Sequence, residues 1–350
     1  DWAASEAAVA SREKCGLSVH SAFHDMPPQI ESQSLDGPGP ALLVHGGAWD
    51  IPDDVLDDHR DGLAAALQVG RRRLEAGEAA VDVVTETVAT LEAHGAFDAG
   101  RGAMLNQDGE AELDAGVMDG ATLAYGSVMA VQRIAHPVRA ARRLLDAGHG
   151  QVRMLAGEGA ERFADAEGLQ RVANSALVCD RERERFRELR DRAEDGGPSS
   201  PFRPGAMPKT EGHDTVGCVA RDRKGRLAAA TSTGGTPYKP PGRVGDSPLP
   251  GAGFYATPDA AVSATGWGEA IAAVVLASQT TDAIMRGQTP EAAVRERLAD
   301  MHARVQDRDD EGATGGLIAL DAEGRGGVAY TTPRMARGAW HEHGDAWWDV

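Results

Sequence analysis

The sequence predicts a mixed α/β fold, and three observations carry that expectation. Short apolar runs of strand length alternate with longer segments of helical spacing along most of the chain. A charged and then Gly/Pro/Ser-rich stretch at 181–213 interrupts this alternation in mid-chain. Directly after it, residues 215–233 read as a hairpin: Thr-Val-Gly-Cys-Val-Ala, a turn around Arg223-Lys224-Gly225, and Leu-Ala-Ala-Ala-Thr-Ser-Thr.

Taken in order, residues 1–40 lack the basic-then-apolar pattern of a signal peptide and are expected to form a poorly ordered tail. Ala41-Leu42-Leu43-Val44 is a short buried strand that turns at Gly46-Gly47. Segments 58–76 and 78–93 have amphipathic helical spacing, with Gly77 between them. Segments 103–107 and 110–117 suggest a hairpin about Asp108-Gly109. Pro137 opens a helix at 138–146, with another at 151–165 and a charged one at 181–194. Beyond 215, strands are expected at 215–220, 227–233, 252–256, 261–265, 315–321 and 326–331, and helices at 268–286 and 290–304.

Composition excludes several function classes. The formal charge is −18, and only four of the 36 basic residues are lysine, which disfavours nucleic acid as a partner. No apolar run is long enough to span a membrane. Cys15, Cys179 and Cys218 form no spaced pair, which points to a reducing, cytoplasmic compartment without a zinc site. Cys218, on an apolar strand, reads as a buried structural thiol.

The chemistry-bearing feature is Gly-His-Asp-Thr-Val-Gly at 212–217. A threonine hydroxyl is a weak nucleophile unless a base takes its proton. If the chain is cut between Asp214 and Thr215, the new α-amine is that base, with an ordinary pKa of about 7.7–8.0. A Thr opening an apolar strand is also common in any sheet. The hairpin adds a second hydroxyl: with Lys224 at its centre, Thr215 lies opposite Thr233, and facing Cβ atoms are about 4.5–5.5 Å apart. The loop 238–248 holds Arg243 and Asp246. This pair could grip an amino acid's carboxylate and ammonium, or form an ordinary surface ion pair. Thr265-Gly266 ends a strand before a helix, a place for an oxyanion hole or simply a turn.

The ordered set His-Asp-Thr-Val-Gly, Thr-Ser-Thr-Gly-Gly, Gly-Arg-Val-Gly-Asp-Ser-Pro, Gly-Ala-Gly and Ala-Thr-Gly resembles the family of isoaspartyl peptidases, plant-type asparaginases and glycosylasparaginases. Val-His-Gly-Gly-Ala (44–48), Phe-Asp-Ala-Gly-Arg-Gly (97–102), Glu-Leu-Asp-Ala-Gly-Val-Met-Asp-Gly (112–120), Thr-Gly-Gly-Leu-Ile-Ala-Leu-Asp (314–321) and Met-Ala-Arg-Gly (335–338) extend the resemblance over about residues 41–340. It implies a four-layer αββα sandwich of the N-terminal-nucleophile hydrolases. One catalytic domain would comprise an α half, 41–214, ending in an exposed linker at about 181–213, and a β half, 215–350. Self-cleavage between Asp214 and Thr215 would expose the nucleophile. Thr233 would steady it, Arg243 and Asp246 would hold the substrate's α-groups, and Thr265 and Gly266 would form the oxyanion hole.

The implied activity is release of aspartate from β-aspartyl dipeptides or asparagine, without a catalytic cofactor, by paired αβ units. A glycosylasparaginase, an endoprotease cutting after aspartate, and a non-catalytic homologue are the alternatives. The resemblance further implies a structural sodium ion on the carbonyls of Leu91, Glu92, His94, Phe97, Ala99 and Arg101. Asp98, Trp267 and Ala273 depart from the family pattern, and Trp267 is expected to crowd the leaving-group side.

Overall fold

In the computed structural model, residues 30–194, 215–307 and 311–350 are described. The first stretch contains β1 (Glu31–Leu35), β2 (Ala41–Trp49), α1 (Leu56–Glu75), α2 (Ala80–His94), β3 (Leu113–Asp119), β4 (Ala124–Val131), α3 (Pro137–Ala147), β5 (Met154–Ala156), α4 (Gly157–Ala166) and α5 (Asp180–Glu194). Then come β6 (Val216–Arg221), β7 (Leu227–Thr233), β8 (Phe254–Ala256), β9 (Ala260–Gly266), α6 (Gly268–Val274), α7 (Leu276–Met285) and α8 (Pro290–Arg304). β10 (Gly315–Asp321), β11 (Gly326–Tyr330), β12 (Arg334–His341) and β13 (Trp347–Asp349) complete the chain.

Local signals explain several boundaries. α1 buries Leu63, Ala66, Leu67, Gly70 and Leu74, a stripe at three- and four-residue spacing. α2 stops at Gly95, whose φ of 87° is left-handed. α8 starts with Pro290 in its first turn, behind a Thr289 hydroxyl that accepts from the Ala292 N–H at 3.3 Å.

The strands form an eight-stranded sheet, ordered β13-β12-β2-β6-β7-β3-β4-β5, and a five-stranded sheet, ordered β1-β11-β10-β9-β8. Strand alternation makes the layers. β2 sends Leu42 and Val44 into a core shared with α1, α2 and α3, while Ala41 and Leu43 face the other sheet. Between the sheets, Leu43, Val219 and Ala229 pack with Phe254, Ala261 and Ile318. On the far side of the five-stranded sheet, Val262, Ala264 and Leu317 pack with Ile271, Val294 and Leu298 of the helices. Two sheets face each other and are flanked by helices.

The structure departs from expectation in six places. Residues 31–35 of the expected tail form β1, paired with β11 from Glu31↔Tyr330 to Leu35↔Gly326; residues 1–29 lie outside the described residues. The turn at Asp108-Gly109 exists, with one bridge between Leu105 and Ala111, but the ladder partners of β3 are β4 and β7. An apolar pattern marks a strand without naming its neighbour. The helix expected over 151–165 starts at Gly157, because 154–156 pair in parallel with β4. The expected helix 268–286 breaks at Val275, a non-glycine residue at φ 53°, with no Gly or Pro to signal it. Strands β12 and β13, beyond the last expected strand, pair at the edge beside β2. β4 is likewise a strand beyond the expected set. Among the described residues, no helix is long and apolar enough to cross a membrane.

Candidate active site

The site is assembled where β6 begins and β7 ends. Asp214 and residues 195–213 of the linker lie outside the described residues. Thr215 itself is buried, 6% exposed. The β6–β7 register aligns Val216 with Ser232, and Gly225 takes a left-handed φ of 76° in the connecting turn. One step further along that register, the Thr215 hydroxyl donates to Thr233 Oγ1 at 3.2 Å. The Gly235 N–H donates to the same Oγ1 at 2.9 Å, which fixes the Thr233 hydroxyl in turn. The two hydroxyls are therefore held by sheet register and by the turn after it.

A cleft opens over Thr215 and is lined by Thr233, Gly235, Thr236, Arg243, Gly245, Asp246, Ser247, Gly266 and Gly268. Asp246 is 4% exposed, and its Oδ2 has no hydrogen-bond partner among the described residues. Burial raises its pKa from 3.8 to about 7, although the neighbouring Arg243 pulls it down. Gly266 closes β9 with φ 130°, and a Cβ there would lie 2.4 Å from the Gly315 Cα. Only glycine fits, and its backbone faces the cleft. Thr265 beside it is wholly buried, and its hydroxyl also has no partner among the described residues. Unpaired buried polar atoms are costly; Asp246 lines the cleft over Thr215, where a ligand could satisfy it, whereas Thr265 lies behind Gly266 and is not itself part of the lining.

Residues 38–348 match the model of the asparaginase family, Asparaginase_2. The chain belongs to the asparaginase family. It is 39% identical over 310 residues to the isoaspartyl peptidase of Salmonella typhimurium, covering 87% of this chain and 96% of that protein. It is 39% identical over 315 residues to the isoaspartyl peptidase of Escherichia coli, covering 87% and 93% of the two chains. With the human isoaspartyl peptidase/L-asparaginase it shares 40% identity over 298 residues, 85% of this chain and 91% of that one.

Within this asparaginase-family site, several residues escape sequence reasoning. Ser247 Oγ lies 3.5 Å from Thr215 Oγ1, a second polar neighbour for that hydroxyl. His45 Nε2 and Ser263 Oγ are 2.7 Å apart beneath it. Both fill the space where a Cβ on Gly217 would sit, 2.2 and 2.1 Å away. Burial drives the His45 pKa down to about 3, against a hydrogen bond with the Thr215 backbone, so the ring is neutral. Lys239 is fully buried and its Nζ donates to the Glu112 carbonyl at 2.9 Å. Asp114, paired across the strands with Thr233, has its pKa raised by burial, with Lys239 countering. The motifs 44–48 and 112–120 mark these segments, but a motif does not say which strand will sit opposite which.

The departures from the family pattern also find their places. Asp98 is buried; its Oδ1 accepts from the Met104 N–H at 2.7 Å and its carbonyl from the Gly234 N–H at 2.9 Å. It braces the turn after Thr233. Trp267 is half-buried and packs against the core shared by α6, α7 and α8. Its neighbours Gly266 and Gly268 line the cleft. Ala273 is exposed on α6. Cys218 is buried, and burial pushes its thiol pKa well up, so it is inert.

Leu91, Glu92, His94, Phe97, Ala99 and Arg101 occupy the end of α2 and the loop that follows. The Glu92 carbonyl accepts from the Arg101 N–H at 2.8 Å, so it is tied into the loop. The carbonyl oxygens of Phe97 and Gly95 converge, 2.7 and 2.8 Å from where a Cβ on Gly102 would sit. Converging carbonyls suit a hard cation. Gly95 is not in the expected set. Among the described residues, no cluster of three or more His, Cys, Asp and Glu could hold a metal.

Proposed function

We propose that this chain is a self-processing threonine hydrolase that releases aspartate from β-aspartyl amides. The observation that carries the reading is the Thr215–Thr233 hydroxyl pair, 3.2 Å apart, in one cleft with Arg243, Asp246 and Gly266. In the uncut chain, Thr215 Oγ1 adds to the Asp214 carbonyl, the peptide C–N bond breaks and the nitrogen takes up the proton. Water then hydrolyses the ester, leaving an Asp214 carboxylate and a Thr215 α-amine. In the cut enzyme that amine accepts the hydroxyl proton while Oγ1 attacks the side-chain carbonyl of the substrate. The Gly266 N–H and Thr265 hydroxyl stabilise the oxyanion, and removing such a donor costs about 2.7–4 kcal/mol. The protonated amine or ammonia leaves; water frees aspartate and restores Thr215.

Arg243 donates to the α-carboxylate, and ionised Asp246 accepts from the α-ammonium. Gripping both groups disfavours residues inside a long chain, hence an endoprotease. The substrates named for the relatives, isoaspartyl peptides and L-asparagine, support the same preference over glycosylated asparagine. The four-layer αββα assignment, a sodium ion on the carbonyls of residues 91–101 and pairing of αβ units belong to the same proposal.

The test is intact-mass analysis with kinetics. Purified protein should separate into 1–214 and 215–350 without added protease, and Thr215→Ala should stay one chain without activity. An uncut, fully active wild type would refute the mechanism.

A further inference from the structure

Arg243 has two hydrogen-bonding edges, and one is already committed within the protein. Its Nε and Nη2 donate to Oε1 and Oε2 of Glu269 at 2.9 and 2.8 Å. This planar, two-pronged contact is the firmest way for an arginine and a carboxylate to hold each other. Glu269 lies in the first turn of α6. Its side chain is 39% exposed and that of Arg243 only 10%, so Glu269 grips from the rim and the guanidinium lies inside it. The other edge borders the cleft. A Cβ on Gly245 would sit 3.0 Å from Nη1, and one on Gly268 would sit 3.1 Å from Nη2 and 2.9 Å from Asp246 Oδ1. Both glycines line the cleft.

We propose that Glu269 is a positioning residue that fixes Arg243 by its Nε–Nη2 edge, turning the Nη1–Nη2 end toward the α-carboxylate of an amino-acid substrate. The inference rests on the assignment of Arg243 to that carboxylate. Guanidinium nitrogens each carry protons enough for this: Nη2 gives one to Glu269 and one to the substrate. A second effect follows from the neighbourhood. Asp246 is the other carboxylate beside Arg243, and an arginine released from Glu269 would close onto it. That contact would take the acceptor meant for the substrate's ammonium, so both ends of the substrate lose their partner together.

The experiment compares Glu269→Ala, Glu269→Gln and Arg243→Ala with wild type on β-aspartyl-leucine. Appearance of the two fragments reports that each variant folds, since self-cleavage does not use an α-carboxylate. Glu269→Ala is expected to raise KM about tenfold or more with kcat unchanged, as befits a lost hydrogen bond to a charged group. Glu269→Gln, which keeps one acceptor, should fall between Ala and wild type. Arg243→Ala should raise KM at least as far. A KM that is unchanged or lower in Glu269→Ala, while Arg243→Ala remains impaired, overturns the positioning role and leaves the clamp standing. A fall in kcat at constant KM overturns it too. A wild-type KM in Arg243→Ala instead removes the clamp assignment itself.

Discussion

Replacing Asp246 with asparagine in a Thr215→Ala background should flatten the dependence of stability on pH. The background keeps every molecule uncut, so one species is compared. Burial holds the Asp246 pKa at about 7 in the folded protein against 3.8 ordinarily. The folded state therefore keeps its proton where the unfolded chain has lost it. The stability this contributes is full below pH 3.8, declines as pH rises, and is gone once pH passes about 7. At about 1.36 kcal/mol per pKa unit, the loss is on the order of 4 kcal/mol. An asparagine has no such titration, although it carries a pH-independent cost for its own unpaired amide. The readout is therefore the gap between the Asp246→Asn variant and its parent, not either stability alone. Urea melts across about pH 4 to 8.5 should show that gap moving in favour of the variant up to about pH 7 and then levelling. With m-values of about 1–3 kcal/mol/M, the midpoints should separate by roughly 1 M or more. A gap that stays constant over that whole range would refute the buried-carboxyl argument. The same titration predicts that the wild-type KM rises as pH falls below about 7, because a protonated Asp246 offers the substrate ammonium no charge.

Thr233→Val keeps the shape of the strand end but removes the partner of Thr215 Oγ1 and of the Gly235 N–H. Self-cleavage followed by gel and turnover followed by ammonia release should both slow by about tenfold or more, in line with one lost hydrogen bond in a reacting site; a normal rate of both would remove Thr233 from the mechanism. Trp267→Ala should lower the melting temperature through lost packing against the α6–α8 core. It should leave the ranking of β-aspartyl dipeptide and asparagine over N-acetylglucosaminyl-asparagine unchanged in kcat/KM, and a switch toward the glycosylated substrate would put Trp267 on the leaving-group wall.

What the sequence discloses depends on whether the relevant physics is local. The Thr215–Thr233 alignment follows from one short loop, because a three-residue turn ending in a left-handed glycine sets the register of the strands that it joins. The Arg243/Asp246 loop and the strand end at Thr265-Gly266 are visible for the same reason: Gly and Pro fix backbone over a few residues. The His45–Ser263 contact joins residues in different sheets, 218 positions apart, and nothing near either announces the other. Lys239 reads as a loop residue, since only the return of β3 beneath it puts it in the interior. The break at Val275 carries no sequence mark, and the N-terminal strand β1 depends on an edge offered by β11 almost three hundred residues later.

The strand orders have a consequence for the severed molecule. In the eight-stranded sheet, β6 and β7 from beyond residue 215 lie between β2 and β3 from before it; in the other sheet, β1 is the sole strand from the first part among the described residues. A cut ahead of Thr215 thus yields two interwoven fragments rather than two bodies that could part. While folded, they keep every ladder bond of the parent. Once unfolded they diffuse away, and reassembly becomes a bimolecular encounter that depends on dilution. An intact chain would refold as one particle; a cut one would not. Processing would then act as a ratchet, and the lifetime of the product would be governed by its unfolding rate rather than by any equilibrium with its pieces.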